Sequence, residues 1–162
     1  MDSIIGIIDI GLGNVDSVGR AIRYLGFDFK LCQKPEELDL ADRIILPGVG
    51  NFGAAISLLR KTSFDSEIKK QTIENKKPIL GICLGMQALM ESSEENEGTT
   101  GLGIIPGRVL HFADRLKDRA PDNSLKVPHM GWNRVHQQQE HKLRRGIELV
   151  SRLFLADNER KG

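Results

Sequence analysis

Cys83 carries the sharpest chemical signal in this sequence. It sits at the centre of Gly81-Ile82-Cys83-Leu84-Gly85, between the apolar run PILGI and the helix-like LGMQALMES. Glycines two before and two after a nucleophile clear space for a sharp strand-to-helix turn, the nucleophile elbow, here with sulfur in place of a hydroxyl. Such a turn holds its corner residue in a strained backbone conformation and projects the side chain from the C-terminal edge of a sheet, where α/β ligand sites lie. A helix starting at Leu84 offers backbone N–H groups and a positive dipole end that favour the thiolate. The Leu84 N–H is placed to donate to a developing oxyanion. Gln87 follows four residues later on the same helical face; its amide suits substrate recognition, the plainer alternative being a solvated surface glutamine. Met86, Leu89 and Met90 are expected to face the core. Glu91, four residues beyond Gln87, is a candidate contact for a substrate ammonium group. The other cysteine, Cys32, lies in the alternating FDFKLC and reads as a small buried hydrophobe.

A second group of residues suggests a different chemistry. Gly48, Gly50 and Gly53 in ILPGVGNFGAA have the spacing G-x-G-x-x-G after an apolar strand and before a helix, the dinucleotide fingerprint. That reading fails on two counts. The next strand should end near an acid for the ribose hydroxyls, but it ends in Gly81-Ile82-Cys83. Two strands also precede this one, whereas the fingerprint belongs to the strand that opens its unit. The N-terminal GLGNVD has Asp16 where a third glycine belongs. The glycines therefore serve another purpose, the close approach of backbone to a reacting group.

The elements that must hold these residues alternate between strand and helix. IIGIID (4–9) reads as a strand buried on both faces. Val15, Val18, Ile22 and Leu25 recur at helical spacing, with Asn14 as a cap and Gly26 as a stop. FDFKLC is a second strand, Pro35 to Leu38 a helical turn, and RIIL (43–46) a third strand. Helices are expected over 52–61 and, more weakly, 63–75, with a fourth strand over 78–82. This alternation predicts an α/β fold with a mostly parallel sheet flanked by helices. Beyond Glu91 the patterns are weaker: an acidic, solvated stretch over 91–97, two short strands around Pro106-Gly107, an irregular KVPHMGWN, and a polar helix or loop over 136–147.

Bulk properties narrow the function classes. The 162 residues fit one domain, 1–162, with a real core. A net charge of +1 provides no electrostatic pull toward nucleic acid or anionic membrane. No apolar run reaches the ~18 residues of a membrane span, and MDSIIGIIDIG lacks the basic region of a signal peptide. Two cysteines make no disulfide framework, so a cytoplasmic setting is expected. The four histidines, His111, His129, His136 and His141, do not form a metal-ligand pattern: His136 and His141 are five apart, without cysteines nearby.

Four segments, IIDIGLGNVDSV, ILPGVGNFGAA, GICLGMQ and KVPHMGWN, together resemble the class I glutamine amidotransferases, specifically the glutaminase subunit of imidazole glycerol phosphate synthase from histidine biosynthesis. The first and last segments separate this subunit from other amidotransferases. The resemblance covers roughly residues 3–147. It implies a flavodoxin-like class I amidotransferase fold, no cofactor, and hydrolysis of glutamine to glutamate and ammonia. The ammonia would pass to the cyclase, a (β/α)8 barrel forming a heterodimer with this chain. By motif, Cys83 would be the nucleophile that forms a glutamyl thioester, and Gln87 would contact glutamine. Backbone at Gly48, Val49, Gly50 and Leu84 would form the oxyanion hole. Asn14 and the Met130–Trp132 segment would face the cyclase.

The resemblance also implies a general base and its orienting acid in a C-terminal His-Pro-Glu. No His-Pro-Glu occurs among these residues, and the likeness fades around GIELVSRLFLADNERKG. A C-terminal piece with further strands is therefore expected to be missing, and glutaminase turnover to be very low or absent. Two other readings follow: a non-catalytic protein that binds the cyclase, and another cysteine hydrolase with His129 or His111 as base.

Overall fold

The computed structural model of the protein describes residues 3–95, 98–111, 130–136 and 150–156, the last two stretches as strands only. Residue contacts divide the chain into two units, 1–110 and 111–162.

In the first unit, strands β1 (Ile5–Ile8), β2 (Phe29–Cys32), β3 (Arg43–Gly48) and β4 (Ile79–Cys83) form one sheet in the order β2-β1-β3-β4. Every pairing is parallel. The chain runs outward from β1 to β2 and then returns past β1 to β3. The direction of winding therefore reverses between β1 and β3. In an open parallel sheet the crevice for a ligand lies at that reversal, beyond the carboxyl ends of the strands. The loops after β1 and β3, both glycine-rich, leave the sheet there.

Helices cover both faces because the strands present apolar side chains alternately. On one face Ile8, Cys32, Ile44 and Leu46 join a buried cluster with Phe52, Ile56 and Leu59 of α2 (Phe52–Lys61) and Phe64 and Ile68 of α3 (Phe64–Lys69). A ten-residue helix is marginal on its own. Phe52, Ile56 and Leu59 are fully buried, and each such side chain contributes about 1.5–3 kcal/mol by leaving water; docking therefore makes the helix. The other face, carrying Ile7 and Phe29, lies under α1 (Val15–Tyr24). A Cβ on Gly19 of α1 would stand 2.5 Å from the Phe29 ring, so only glycine allows this approach. Asn14 caps α1, its side-chain oxygen accepting the Ser17 N–H at 3.0 Å. Gly26, at φ 79°, follows its end. Leu25, expected in the apolar stripe, is 67% exposed because the helix has already closed at Tyr24. Leu80 and Ile82 of β4 share the α1 side of the sheet, where α1 does not reach them, and are partly exposed.

Residues 35–40 form a 3-10 turn, and α3 continues into a π-turn over Lys70–Glu74. The Asn75 N–H reaches the Lys70 carbonyl at 3.0 Å, an i to i+5 bond. This turn brings Gln71 fully inside. Its amide nitrogen donates to Asp39 (2.5 Å) and Glu67 (2.6 Å), and its oxygen accepts from Asn75 (3.0 Å). The Lys77 ammonium then donates to the Leu38 and Asp39 carbonyls, tying the 3-10 turn to the start of β4.

The region after Cys83 departs from the sequence patterns. The expected helix over LGMQALMES stops early: α4 spans Leu84–Ala88, and strand β5 (Met90–Ser93) follows. The reason is non-local. Backbone N–H groups of Leu102, Ile104 and Ile105 take the carbonyls of Ala88 and Leu89, and Gly101 and Gly103 take those of Glu91 and Met90. Strand β6 (Ile105–Val109) pairs parallel with β5 in a two-stranded sheet. The two strands expected around Pro106-Gly107 are thus one strand. Its register slips between Met90 and Ser92, opposite the proline and a Gly107 at φ 120°; a bulge accommodates a residue without an N–H.

In the second unit, β7 (Met130–His136) and β8 (Val150–Ala156) pair antiparallel, with Trp132 opposite Phe154. The MGWN segment, expected to be irregular, is therefore strand. Residues 137–147, expected as a polar helix or loop, lie outside the described residues.

Candidate active site

Cys83 occupies the last position of β4 and the N-cap position of α4 with φ 55° and ψ −118°. Positive φ in a non-glycine residue costs of order 1–3 kcal/mol and persists only where the surroundings enforce it. The enforcing contacts are backbone against backbone. A Cβ on Gly81 would collide with the Met86 backbone, and one on Gly85 with the Leu46 carbonyl. Both glycines of the elbow are thus sterically required, as their spacing predicted. The Cys83 side chain is exposed, and its thiol is free.

Beside it runs the loop after β3. Gly48 is the register partner of Cys83, and a Cβ on Gly48 would lie 2.5 Å from the Gly85 nitrogen. Cys83 and the Gly48–Gly50 loop therefore leave the sheet side by side. Gly50 has φ 104°, a conformation that turns the loop before Asn51 caps α2. The N-terminal glycine loop packs on the same segment: a Cβ on Gly13 would meet Pro47 at 2.8 Å, and the Val49 N–H donates to the Leu12 carbonyl at 2.5 Å. In this conformation the Val49 N–H is engaged there rather than open to a substrate. These contacts explain the clustered glycines without a dinucleotide.

Gln87 is half-buried on α4, one turn after Cys83. Met86, expected in the core, is 48% exposed; its backbone is pressed against Gly81. Leu89 is buried as expected, and Met90 partly so. Glu91 does not sit on a helical face with Gln87, because the helix has ended; its carboxylate accepts the Gly107 N–H at 3.0 Å. Asn14 spends its side-chain oxygen on the α1 cap. Met130 and Trp132 fall in β7.

Glu95 carried no signal of its own within the acidic stretch, yet it is engaged. One carboxylate oxygen accepts from the Asn51 amide at 2.5 Å and the other from the Phe52 N–H at 3.2 Å. The Glu95 N–H in turn donates to Ser93, which is buried. A carboxylate at a helix N-terminus is worth about 0.3–1 kcal/mol. Hydrogen bonding across 44 residues leaves no local pattern that could have marked it.

Cys32 is fully buried, and burial, helped by the Glu37 carboxylate and opposed by Lys30, pushes its thiol up to about 11. It is inert at neutral pH. Among the described residues no three His, Cys, Asp or Glu side chains group as a metal site, and no helix is long and apolar enough to cross a membrane. His129 and His141 lie outside the described residues.

The glutamine amidotransferase class-I family profile matches residues 6–155. The chain is 46% identical over 145 residues to the imidazole glycerol phosphate synthase subunit HisH of Halalkalibacterium halodurans, which covers 89% of this chain and 66% of that protein. It is 47% identical over 140 residues to the HisH subunit of Bacillus subtilis, covering 86% and 64%. Against the chloroplastic imidazole glycerol phosphate synthase hisHF of Arabidopsis thaliana the figures are 46% over 132 residues, 82% and 21%. The chain thus spans just under two thirds of the length of the bacterial relatives. Among solved structures, a glutamine amidotransferase superposes with a TM-score of 0.62 at 19% identity, covering 80% of this chain and 62% of that one. A protein described as a GMP synthase subunit, from Thermoplasma acidophilum, gives 0.57 at 19% identity, covering 98% and 66%. These two speak to the fold alone. With a family profile running from Gly6 to Leu155, the chain belongs to the class-I glutamine amidotransferases.

Proposed function

We propose that this chain carries the nucleophile and oxyanion loop of a glutaminase that serves imidazole glycerol phosphate synthase, releasing ammonia from glutamine for a cyclase partner. The observation that supports this most is the Cys83 elbow, strained at φ 55° and set beside Gly48 at the carboxyl ends of the strands. The Cys83 thiolate attacks the side-chain amide carbon of glutamine, a C–S bond forms, and the carbonyl oxygen takes the charge. Donors for that oxygen are the Leu84 N–H and backbone at Gly48 and Gly50; Val49 joins them only when its bond to Leu12 opens. Collapse of the intermediate breaks the C–N bond and leaves a glutamyl thioester, which water converts to glutamate. Gln87, one turn from the nucleophile, orients the substrate. Asn14 and the Met130–Trp132 segment face the cyclase.

The proton that leaves with ammonia needs a shuttling base. In the resemblance that base is the histidine of His-Pro-Glu, absent from these 162 residues. The test is glutamate release measured with the cyclase present, for the unaltered chain and for Cys83→Ala. Rapid turnover that survives in Cys83→Ala overturns the nucleophile assignment. Rapid turnover lost in Cys83→Ala confirms the nucleophile and refutes the expectation of poor turnover. Binding to the cyclase with no glutamate release and no Cys83 alkylation by glutamine analogues selects a purely binding role.

A further inference from the structure

We infer that Glu95 is a positioning residue for the oxyanion loop, holding the loop's downstream end from a distant segment of the chain. The inference rests on the reading of Gly48–Gly50 as that loop.

Upstream, the loop is fixed by the β3–β4 ladder, which ends with Gly48 opposite Cys83. Downstream it passes through Gly50, at φ 104° with nothing near a Cβ position, so the loop's own side chains do not restrain it there. The next two residues are restrained by Glu95. Asn51 turns its oxygen to the Ala54 N–H at 3.0 Å, capping α2, and its amide nitrogen to Glu95 at 2.5 Å. The second Glu95 oxygen takes the Phe52 N–H. Phe52 is fully buried, so the point where the loop meets α2 is also anchored in the core. Glu95 itself is placed by its N–H on buried Ser93, at the end of β5. The carboxylate thus selects one orientation of the Asn51 side chain and of the Asn51–Phe52 peptide, just downstream of Gly50. A small error in that peptide misplaces donors whose catalytic value depends on sub-ångström placement. The Asn51–Glu95 bond is exposed, where such a contact adds little to stability, and the Phe52–Glu95 bond is part-buried; their shared consequence is orientation.

The test compares two alkylating agents on Cys83 in the full chain. A glutamine-like chloromethyl ketone must seat its carbonyl oxygen on the oxyanion donors; iodoacetamide needs only an accessible thiolate. In both, the sulfur displaces a halide, so the chemistry at sulfur is shared. Glu95→Ala and Glu95→Gln are expected to slow the chloroketone about tenfold and to leave the iodoacetamide rate within about twofold. Asn51→Asp, which sets two carboxylates face to face, is expected to do the same. Combining Asn51→Asp with Glu95→Gln restores a donor–acceptor pair of reversed polarity and is expected to recover the chloroketone rate. A purely structural role would slow both reagents together and would not be rescued. Unchanged selectivity in every Glu95 and Asn51 variant overturns the inference while leaving the glutaminase reading intact. If the unaltered chain itself shows no preference for the chloroketone, the oxyanion reading falls, and the role of Glu95 with it.

Discussion

Gly48 and Cys83 face each other across the final rung of the β3–β4 ladder, so Cys83 and the loop beside it share one backbone register. Any side chain added at this rung must displace the elbow: a Cβ on Gly48 stands 2.5 Å from the Gly85 nitrogen and 3.0 Å from the Leu84 carbonyl carbon.

Gly48→Ala is therefore expected to lower stability by about 1–3 kcal/mol, as overpacking does, and to slow Cys83 alkylation. Gly85→Ala should be worse and fail to give soluble folded protein, since its Cβ falls on the Leu46 carbonyl. Gly50→Ala meets no atom within 4 Å, yet its φ of 104° charges about 1–3 kcal/mol of backbone strain. Urea unfolding midpoints read Gly48→Ala and Gly50→Ala, and the yield of soluble protein reads Gly85→Ala.

Replacing Cys83 by glycine relieves the strain at φ 55° while adding chain entropy to the unfolded state. Strain of about 1–3 kcal/mol against an entropic cost of about 0.5–1 kcal/mol leaves a net gain of about 1 kcal/mol. Cys83→Gly should thus melt higher than the parent and react with no glutamine analogue. A lower melting temperature would mean that the elbow is not strained.

The two thiols should separate by exposure. At pH 8, iodoacetamide should label Cys83 and spare Cys32, as peptide mass mapping would show. The folded value for Cys32, about 11, is raised above its ordinary 9.0. Between these values the unfolded chain has released the proton and the folded chain has kept it. The stability that Cys32 contributes is therefore complete below pH 9 and is lost as pH rises toward about 11. Urea titrations from pH 8 to 11 should show this decline, shallower in Cys32→Ala.

Gln71→Leu keeps the volume but strips three hydrogen bonds from a fully buried position. Leaving their partners unmatched should cost about 1–3 kcal/mol, read from the same denaturation curves. Cys83 reactivity should be unchanged, because the cluster lies at the start of β4, away from its carboxyl end.

The elbow, the parallel sheet and the caps of α1 were legible because each depends on residues a few positions apart. Gly81 and Gly85 announce the crowded turn, and Asn14 and Gly26 bracket one helix. The end of α4 was not legible. Residues 84–92 have a helical pattern, and what stops it at Ala88 is a set of N–H groups from 101–105. Glu95 was hidden for the same reason, since its partners are remote. Pro106-Gly107 reads as a turn locally, but the parallel partner β5 absorbs it as a bulge.

The π-turn over Lys70–Glu74 has a meaning for chain length. An i to i+5 ring holds one residue more than an α-helical turn, so this is where the backbone accommodates a surplus residue without opening a loop. Deleting one residue there would close the ring to the ordinary size and rotate everything before it by about 100° relative to β4, swinging the position of Gln71 off the core. Length differences of a single residue between this chain and its relatives should therefore gather at 70–74. Where the residue is missing, the buried glutamine should be missing too.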